Sequence, residues 1–454
     1  GGSAISRVRE DPYCLAADIY GIGFKTADKV ARSMGIPADS PKRARAGVIY
    51  LLFQAADEGH LYLPLQELLS LAEDELEISR KIAEEAALHL ASEKRIYIES
   101  SYEGEGSVYV GANYLAEHNS AEKLKTLARE AAQLPLLDVN AILKSLERGG
   151  GLEYSENQKE AVHEALRQGV LIITGGPGTG KTTLIRAMVT IFQNLKMKTI
   201  LCAPTGRAAK RLSEASGLQA KTVHRLLEYN PARGGFQRDE GNPVRADAVI
   251  VDETSMLDIP LFYHLIRAIP SGTRLILVGD VDQLPSVGPG TFLRDAINSG
   301  VFRVVVLKEI FRQAHESGIV LNAHRINQGL GPIYNSEGSS PSEFIFVRKE
   351  EPGEVLEYII NLCTRILPSR HSFIKRGDIQ VISPMNRGEV GTWNLNAELQ
   401  KALNPQGPQI IKGGRILRLG DRVMQVRNNY EKDVYNGDMG RIAAVDSENN
   451  SLQV

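Results

Sequence analysis

Short apolar runs alternate with amphipathic stretches through the middle of the chain. Five of these runs are rich in β-branched residues and predict buried strands, at residues 170–174, 199–203, 248–251, 275–278 and 304–307. The segments between them have helical periodicity. This alternation is typical of a parallel sheet flanked by helices, so we predict an α/β domain that begins after Gly151.

The first residues show a different pattern. A Gly-x-Gly turn at Gly21 and Gly23 stands next to a helical stretch and resembles the helix-hairpin-helix module, in which backbone N–H groups hold a DNA phosphate. An ordinary turn between two helices would produce the same short pattern. The DNA-contact interpretation and this simpler one therefore both stay open here.

Helical stretches and short alternating runs fill the region before the α/β domain. The runs at residues 95–98 and 107–110 follow helical segments, an order that suits a small winged-helix-like unit. Such a unit is compatible with nucleic-acid binding and equally with a role as a packing spacer. A further helical segment at 116–134 leads to three glycines ending at Gly151, which predict a flexible boundary.

Two kinds of pattern follow the α/β domain. After a polar stretch, a helix at residues 355–366 and a strand at 379–382 predict a second α/β domain. Short β-like runs from Gly420 onward, with an Asn436-Gly437 turn, are typical of a small β-barrel.

Composition narrows the class of protein. The 454 residues suffice for about two to four domains, and the hydrophobic (43%) and charged (24%) fractions are those of a folded globular protein. Because the sequence has neither a membrane-length apolar stretch nor a secretory signal pattern, we expect a cytoplasmic protein that does not enter the membrane. Cys14, Cys202 and Cys363 are too few and too scattered for a disulfide framework or a zinc site. The net charge of -2 excludes nothing, since a nucleic-acid enzyme can confine positive charge to one groove.

The strongest chemical signal follows the first predicted strand. Residues 175–182 read Gly-Gly-Pro-Gly-Thr-Gly-Lys-Thr and fill every fixed position of the phosphate-binding P-loop. In such a loop Lys181 reaches the β- and γ-phosphate oxygens and the Thr182 hydroxyl coordinates Mg²⁺. We therefore predict ATP and Mg²⁺ as cofactors, with the nucleotide held by Gly176, Pro177, Gly178, Thr179, Gly180, Lys181, Thr182 and Thr183.

Two carboxylates directly follow the third predicted strand. Asp252 and Glu253 follow an apolar run at the edge where a parallel sheet presents its phosphate-binding loops. Asp252 is predicted to hold Mg²⁺ together with Thr182, and Glu253 to polarise the attacking water. An Asp-Glu pair alone is often a solvated strand end, but downstream of a P-loop it indicates phosphoryl transfer.

Together these spaced motifs resemble superfamily 1 helicases, in particular the RecD-like branch that carries an N-terminal helix-hairpin-helix region. The resemblance also rests on Asn157-Gln158 and on the segments at residues 203–209, 222–227, 278–285 and 307–313. It implies tandem RecA-like P-loop motor domains with a helical N-terminal region and a partial SH3-like β-barrel at the C-terminus. The predicted domains are a helix-hairpin-helix region (1–37), a winged-helix-like and helical linker region (38–150), a first motor domain (151–317, with a hairpin insertion at 229–244), an incomplete second motor domain (318–410) and the start of the barrel (411–454).

The resemblance assigns roles to individual residues. Gln158 would read adenine, Gln283 would sense the γ-phosphate, and Arg312 would act as an arginine finger beside the catalytic residues Lys181, Asp252 and Glu253. The predicted DNA-binding residues are Thr205, Arg207, His224, Asn386 and Arg387. Phe236 lies at the centre of an insertion that resembles the family's strand-separating hairpin and equally fits an inert surface loop. Trp393, the single tryptophan, could stack on a base, although a lone tryptophan more often belongs to a core.

The sequence also departs from the family pattern. The final motifs of the family do not occur before Val454, and the chain opens on Gly-Gly-Ser, so we expect it to be trimmed at both ends. The main hypothesis is an ATP-dependent helicase or translocase that moves on single-stranded DNA, 5′ to 3′ by resemblance, in DNA repair or recombination. Its partners would be single-stranded DNA, junctions of single- and double-stranded DNA, and other repair proteins. The alternative is a DNA-stimulated ATPase or regulatory subunit without autonomous unwinding; a P-loop kinase or transporter-type ATPase is disfavoured by the later motifs.

Overall fold

The computed structural model describes residues 2–19, 22–100, 106–135, 138–150, 153–309, 317–334, 344–370, 378–426, 429, 432, 434 and 437–454. The chain divides into two compact units, one of residues 1–204 with 208–312 and one of residues 205–207 with 313–454. Within the described ranges, no helix combines the length and the apolarity needed to cross a bilayer.

Three helices open the chain. They are α1 (Gly2–Glu10), α2 (Cys14–Asp18) and α3 (Phe24–Ser33). Gly23 precedes α3 in an extended conformation, whereas Gly21, the other glycine of the predicted turn, lies outside the described residues. Asp28 of α3 accepts hydrogen bonds from Tyr13 (2.7 Å) and from the buried Arg43 (2.9 Å), so a buried ion pair joins α3 to the helix that follows.

The next six elements stand in the order of a winged helix: helix, strand, two helices, two strands. They are α4 (Pro41–Asp57), β1 (Tyr62–Pro64), α5 (Leu65–Leu76), α6 (Arg80–Ser92), β2 (Ile96–Ser100) and β3 (Gly106–Val110). The strands form an antiparallel sheet in the order β1–β3–β2, with Ile96 opposite Val110. Leu51, Leu68 and Leu90 bury the apolar faces of the three helices in one shared core.

Two helices lead from this region to the large sheet. They are α7 (Gly111–Arg129) and α8 (Val139–Gly150). Leu127 of α7 is fully buried in the core of the large sheet, and the buried Arg274 of that sheet donates to the carbonyl oxygen of Ala132 at 2.6 Å. The predicted glycine boundary is in part helical, since α8 extends to Gly150.

A six-stranded parallel sheet forms the centre of the first unit. Its strands are β4 (Val170–Gly175), β5 (Thr199–Ala203), β6 (Ala220–Thr222), β7 (Ala248–Val251), β8 (Arg274–Gly279) and β9 (Arg303–Leu307), in the spatial order β6–β5–β7–β8–β4–β9. Its helices are α9 (Glu156–Arg167), α10 (Lys181–Asn194), α11 (Gly206–Ser216), α12 (Val223–Leu226), α13 (Ile259–Arg267) and α14 (Phe292–Asn298). Separate clusters of buried residues cover the two faces of the sheet. The predicted α/β fold is confirmed here, with all five predicted strands present and a sixth, β6, at the edge.

The described residues from 317 to 403 contain helices joined by irregular segments. The helices are α15 (Gly318–Asn327), α16 (Pro352–Asn361), which continues as a π-helix (Leu362–Ile366) and α17 (Leu367–Arg370), and α18 (Thr392–Leu403). The helix predicted at residues 355–366 is confirmed, but the strand predicted at 379–382 was wrong. Within the described residues no neighbouring strand pairs with this segment, and Ile382 is 88% exposed, so its backbone groups have no ladder to join. The described residues therefore contain one parallel sheet.

Antiparallel strand pairs end the chain. The strands are β10 (Gln409–Lys412), β11 (Arg415–Arg418), β12 (Arg422–Met424), β13 (Met439–Arg441), β14 (Ala444–Asp446) and β15 (Ser451–Gln453), which pair as β10–β11, β12–β13 and β14–β15. Gly437, with a φ of 91°, adopts the left-handed conformation expected of the predicted turn, while Asn436 lies outside the described residues. These short strands agree with an SH3-like β module.

Candidate nucleotide and DNA site

The P-loop has the local geometry that phosphate binding requires. All residues of β4 are buried, and the strand ends at Gly175, where the loop begins. Gly178 and Gly180 have φ angles of 76°, a left-handed conformation that glycine adopts without strain, and α10 starts immediately after Gly180. The Lys181 ammonium donates to the carbonyl oxygens of Gly175 and Gly176, which places this cation against the loop.

The strand order brings the other predicted catalytic groups to the same edge of the sheet. Strand β8 lies between β4, which leads to the P-loop, and β7, which leads to Asp252 and Glu253. Gln283 comes four residues after the end of β8 and is exposed. Because parallel strands present their C-terminal ends at one edge, the P-loop, the two carboxylates and Gln283 share that edge.

Two threonines tie these strand ends together, and sequence reasoning missed both. The fully buried Thr254 donates its hydroxyl to the carbonyl oxygen of Val278 on β8 at 2.7 Å. On the other side of β8, the Thr174 hydroxyl accepts from the backbone N–H of Val281 at 3.3 Å. The only signal in the sequence was the position of each threonine at a strand end beside a motif residue.

Burial controls the electrostatics of Asp252. Burial raises the pKa of its carboxyl to about 6, and the neighbouring Glu253 charge adds to the increase, while Lys181 acts in the opposite direction. A buried carboxylate with so little compensation favours a cation nearby.

Glu253 is held in an unusual conformation. Its φ of 53° is left-handed, which non-glycine residues rarely adopt, and its Oε2 atom is buried without a hydrogen-bond partner in the described part of the chain. Strain and an unsatisfied polar atom in one residue are typical of a functional position.

The donor set suits Mg²⁺. Among the described residues there is no group of three or more His, Cys, Asp or Glu side chains that could form an all-protein metal cage. Mg²⁺ commonly needs only one or two carboxylates, with substrate phosphates and water completing its shell. Asp252 and the exposed Thr182 hydroxyl fit that role.

Two other residues were predicted to belong to the nucleotide site, Gln158 and Arg312. Gln158 is fully buried, and its side-chain amide is hydrogen-bonded to the backbone of Ser155 and Thr179. Arg312, the predicted arginine finger, lies outside the described residues.

The insertion at 229–244 packs against neighbouring parts of the first unit through aromatic contacts. The Phe236 ring lies 4.8 Å from Tyr229, 5.5 Å from His224 and 4.6 Å from His264, measured between ring centroids. Burial lowers the pKa of His224, so this predicted DNA contact is a neutral, partly buried ring beneath the insertion. Phe236 is therefore an anchor of the insertion, and the exposed tip is the short 3₁₀ turn Pro231–Arg233.

The remaining predicted DNA contacts lie at the start of α11 and in the turn before α18. Thr205 and the exposed Arg207 lie where α11 begins. Further along the chain, Asn386 accepts from the Thr392 hydroxyl at 2.9 Å, which fixes the turn before α18. Arg387 and Asn386 are both exposed.

Trp393 corrects the expectation that a lone tryptophan belongs to a core. Its side chain is 52% exposed, and the Arg387 guanidinium lies over its ring at 5.6 Å. Residue type favours burial on average, but here the ring lies on the exposed side of the first turn of α18. Cation and exposed ring together form a surface on which a base could stack.

The segment after Gln283 connects the nucleotide edge to the winged-helix region, which the sequence did not reveal. Gly290 donates its N–H to the carbonyl oxygen of Gly59, and Ile259 donates to that of Pro289, both at 3.0 Å. Gly290 has a φ of 94°, and a Cβ there would lie 2.5 Å from Ile259 Cγ1. Only glycine fits this contact.

Sequence models of known protein families match three parts of the chain. One described as an AAA domain matches residues 158–289. One described as the HHH domain of an ATP-dependent RecD2 DNA helicase matches residues 1–62, and one described as the SH3 domain of an ATP-dependent RecD-like DNA helicase matches residues 395–454. An ATP-dependent RecD2 DNA helicase of Deinococcus radiodurans is 32% identical over 461 residues, which cover 97% of this chain and 60% of that protein. Over almost its whole length the chain is therefore similar to the RecD-like family.

Further comparisons relate this RecD-like chain to other proteins. The RecBCD enzyme subunit RecD of Mycolicibacterium smegmatis is 29% identical over 372 residues, which cover 74% of this chain and 64% of that protein. A solved structure described as DNA unwinding at forked double-stranded DNA by two coordinating Pif1 helicases matches with a TM-score of 0.36 and 18% identity, over 66% of this chain and 75% of that one. The RecD-like chain thus spans less than two thirds of the length of the two RecD relatives.

Proposed function

We propose that this RecD-like chain hydrolyses ATP and couples the hydrolysis to movement along single-stranded DNA. The observation that carries the proposal is the common sheet edge: the P-loop, the Asp252-Glu253 pair and Gln283 follow three adjacent strands, β4, β7 and β8, with β8 in the middle. Phosphate binding, water activation and nucleotide sensing require these groups together.

Each group has a distinct part in hydrolysis. Lys181 and the P-loop N–H groups bind the β- and γ-phosphates and stabilise charge on the transferring phosphoryl group. Mg²⁺, held by Thr182 and Asp252, would neutralise charge on the phosphate oxygens. Glu253, which has a left-handed φ and a buried carboxylate oxygen, orients and polarises the attacking water, and Arg312 would supply a second positive charge as an arginine finger.

DNA binding would use backbone contacts and stacking rather than base reading. Thr205, Arg207 and Asn386 offer hydrogen bonds to phosphates, and the Arg387–Trp393 pair offers a stacking surface. Such contacts do not depend on the base sequence of the DNA. Translocation along any strand requires this independence. Gln283 would report the γ-phosphate to these contacts, so that grip changes with nucleotide state.

The finer assignment follows the relatives. One is named an ATP-dependent RecD2 DNA helicase, and by family resemblance we propose 5′-to-3′ movement, action at junctions of single- and double-stranded DNA, and a place in DNA repair or recombination with other repair proteins. A second candidate is a DNA-stimulated ATPase that acts as a subunit without unwinding by itself, because another relative is named a RecBCD enzyme subunit.

ATP hydrolysis with and without single-stranded DNA is the first test. We expect DNA to stimulate hydrolysis by the wild-type chain and the Lys181→Ala substitution to abolish it. Lys198→Ala is the matched control, because this exposed lysine precedes β5 at the opposite edge of the sheet. A rate of ATP hydrolysis that does not change when single-stranded DNA is added would contradict the proposal and indicate another class of P-loop ATPase.

Partial duplexes separate the two candidate functions. Strand separation on a duplex with a 5′ single-stranded tail, and none on one with a 3′ tail, is the expected result for a 5′-to-3′ helicase. DNA-stimulated hydrolysis without strand separation on either substrate would support the subunit candidate.

A further inference from the structure

The hairpin of β10 and β11 has an exposed tip near the start of the C-terminal β module. Gly413 and Gly414 form its two-residue turn, and both have left-handed φ angles, 57° and 76°, as the narrow type I′ turn requires. No atom of the described residues lies within 4 Å of a Cβ built at either glycine. The turn therefore adds no bulk of its own to the tip, and a large ligand can approach its backbone closely.

One face of the hairpin exposes apolar side chains. Neighbouring residues of a strand point to opposite faces, so Ile411 and its cross-strand partner Ile416 share one face, while Ile410 lies on the other. Ile410 is 5% exposed and anchors the hairpin, whereas Ile411 is 63% and Ile416 40% exposed. The apolar pair next to the tip is therefore available to a partner.

Two cations lie at the tip itself. Lys412 and Arg415 are directly opposite each other in the pair of residues that flanks the turn, and both are exposed. Like charges in this position repel and destabilise a hairpin. Among the described residues, no carboxylate forms an ion pair with either cation. A phosphate backbone would relieve the repulsion, so the tip is complementary in charge to a nucleic acid.

Hydrogen bonds fix the second strand of the hairpin to the last turn of α18. The Gln400 side-chain amide donates to the carbonyl oxygen of Ile416 at 2.9 Å. The Arg418 guanidinium donates to the carbonyl oxygen of Asn404, also at 2.9 Å. Asp421, which follows the hairpin, accepts from the Asn404 side chain at 2.7 Å. The hairpin and α18 therefore form one rigid piece.

The other end of α18 carries the stacking surface of Trp393 and Arg387. The helix has 12 residues, so its two ends are about 18 Å apart. Stacked nucleotides rise by about 3.4 Å each, and roughly five of them span this distance. A single strand of greater length can reach both ends of the helix.

We propose that the hairpin at residues 409–418 is a second DNA-contacting element, fixed to the same helix as Trp393. Lys412 and Arg415 bind phosphates, and Ile411 and Ile416 contact an exposed base, as apolar side chains do when they insert between base steps. The ligand is a nucleic-acid strand without sequence preference. This inference rests on the DNA binding in the proposed function, but it does not require ATP hydrolysis.

Lys412→Glu separates a DNA contact from a structural role. The new carboxylate faces Arg415 and replaces repulsion with attraction, so the midpoint of thermal unfolding should stay the same or rise. Both cations are lost to phosphate binding, so DNA affinity should fall. Lys196→Glu, at an exposed position before β5, makes the same change of charge and is the matched control.

Fluorescence anisotropy of a labelled 20-nucleotide oligothymidine, without ATP and at several salt concentrations, measures the affinity. Each phosphate contact with a single strand contributes about 0.7 to the slope of log K against log salt. Loss of two contacts should reduce the slope by about 1.4 and the affinity by roughly 25-fold at 0.1 M salt. Arg415→Gln, the second variant, should reduce the slope by about 0.7.

The apolar pair and the spacing have tests of their own. Ile411→Ser should weaken binding by about tenfold and leave the salt slope unchanged, because no phosphate contact is lost. A four-nucleotide oligomer is too short to reach both ends of α18. Its quenching of the fluorescence of Trp393, the single tryptophan, should give the same affinity for Lys412→Glu as for the wild type.

Three results would overturn the proposal. Unchanged affinity and slope in Lys412→Glu would remove the hairpin from the DNA site, and a weaker affinity together with a lower midpoint would make its role structural. Sedimentation showing a wild-type dimer that Ile411→Ser dissociates would make this face an interface between two copies of the chain. Because binding is measured without ATP, a chain that binds DNA as expected but does not hydrolyse ATP fails the proposed function and leaves this inference standing.

Discussion

Glu253 should weaken the fold it belongs to, and its replacement should stabilise the protein while removing hydrolysis. The residue has a φ of 53°, and its Oε2 atom is buried without a hydrogen-bond partner in the described residues. Proteins commonly keep such features where the reaction requires them.

The size of the effect follows from these two features. A left-handed conformation costs a non-glycine residue about 1–2 kcal/mol, which a substitution by glycine removes. The greater conformational freedom of glycine in the unfolded chain cancels roughly 0.5–1 kcal/mol of that gain. An unsatisfied buried polar atom costs about 1–3 kcal/mol. Glu253→Gly should therefore raise the free energy of unfolding by about 2–4 kcal/mol. Glu77, exposed and with a φ of 54° at the end of α5, is the matched control, and Glu77→Gly should gain only the backbone part, about 1 kcal/mol.

Calorimetry measures this difference as a shift of the midpoint of thermal unfolding, Tm. In a large domain each kcal/mol shifts Tm by about 2–4 °C. Glu253→Gln, which keeps the shape of the side chain, should abolish ATP hydrolysis and retain nucleotide binding. If Glu253→Gly is no more stable than Glu77→Gly, the buried carboxylate is satisfied and the reasoning fails. If Glu253→Gln still hydrolyses ATP at the wild-type rate, Glu253 does not activate water.

Three further outcomes follow from the contacts described above. Gly290→Ala, which introduces both a steric clash and a strained φ, should destabilise the first unit by about 2–4 kcal/mol, whereas Gly300→Ala, in open space at a φ of 64°, should cost about 1 kcal/mol in chemical denaturation. For Asp28, burial alone would raise the pKa of the carboxyl, but hydrogen bonds from Arg43 and Tyr13 outweigh burial and lower the pKa. The stability that Asp28 contributes is therefore present above the unfolded pKa of about 3.9 and is lost as the pH falls through the folded pKa. Asp28→Asn should cost roughly 3 kcal/mol at pH 7 and flatten the decline in stability below about pH 4, and an unchanged acid transition would contradict this. Phe236→Ala should release the insertion and speed tryptic cleavage at its arginines, and equal cleavage rates in variant and wild type would mean that the ring is not an anchor.

Local patterns were sufficient for much of the fold and of the nucleotide site. The five predicted strands of the large sheet agree with the observed ones to within one residue at either end, because buried parallel strands are continuous apolar, β-branched runs. The P-loop could be predicted because its chemistry needs fixed residue types within eight consecutive positions. The placement of Asp252, Glu253 and Gln283 at one edge followed from the general geometry of parallel sheets.

Other features depend on residues far apart in the chain. The burial of Gln158 is set by its contacts with Thr179 and Gly180, and the role of Phe236 by the helix that carries His264. The exposure of Trp393 has the same origin. A side chain's type and its neighbours in sequence do not specify which distant backbone groups it will meet.

The sequence by itself determined which segments form strands and helices and which residues can bind a phosphate, since both depend on short-range periodicity and residue chemistry. Only the tertiary structure decided which groups the side-chain carboxamide of Gln158 bonds to and that the segment 379–382 is not a strand. It also decided that Gly290 donates a hydrogen bond to Gly59. Those outcomes depend on partners supplied by packing, because a buried hydrogen bond or a strand ladder forms only where the fold brings a complementary group within reach.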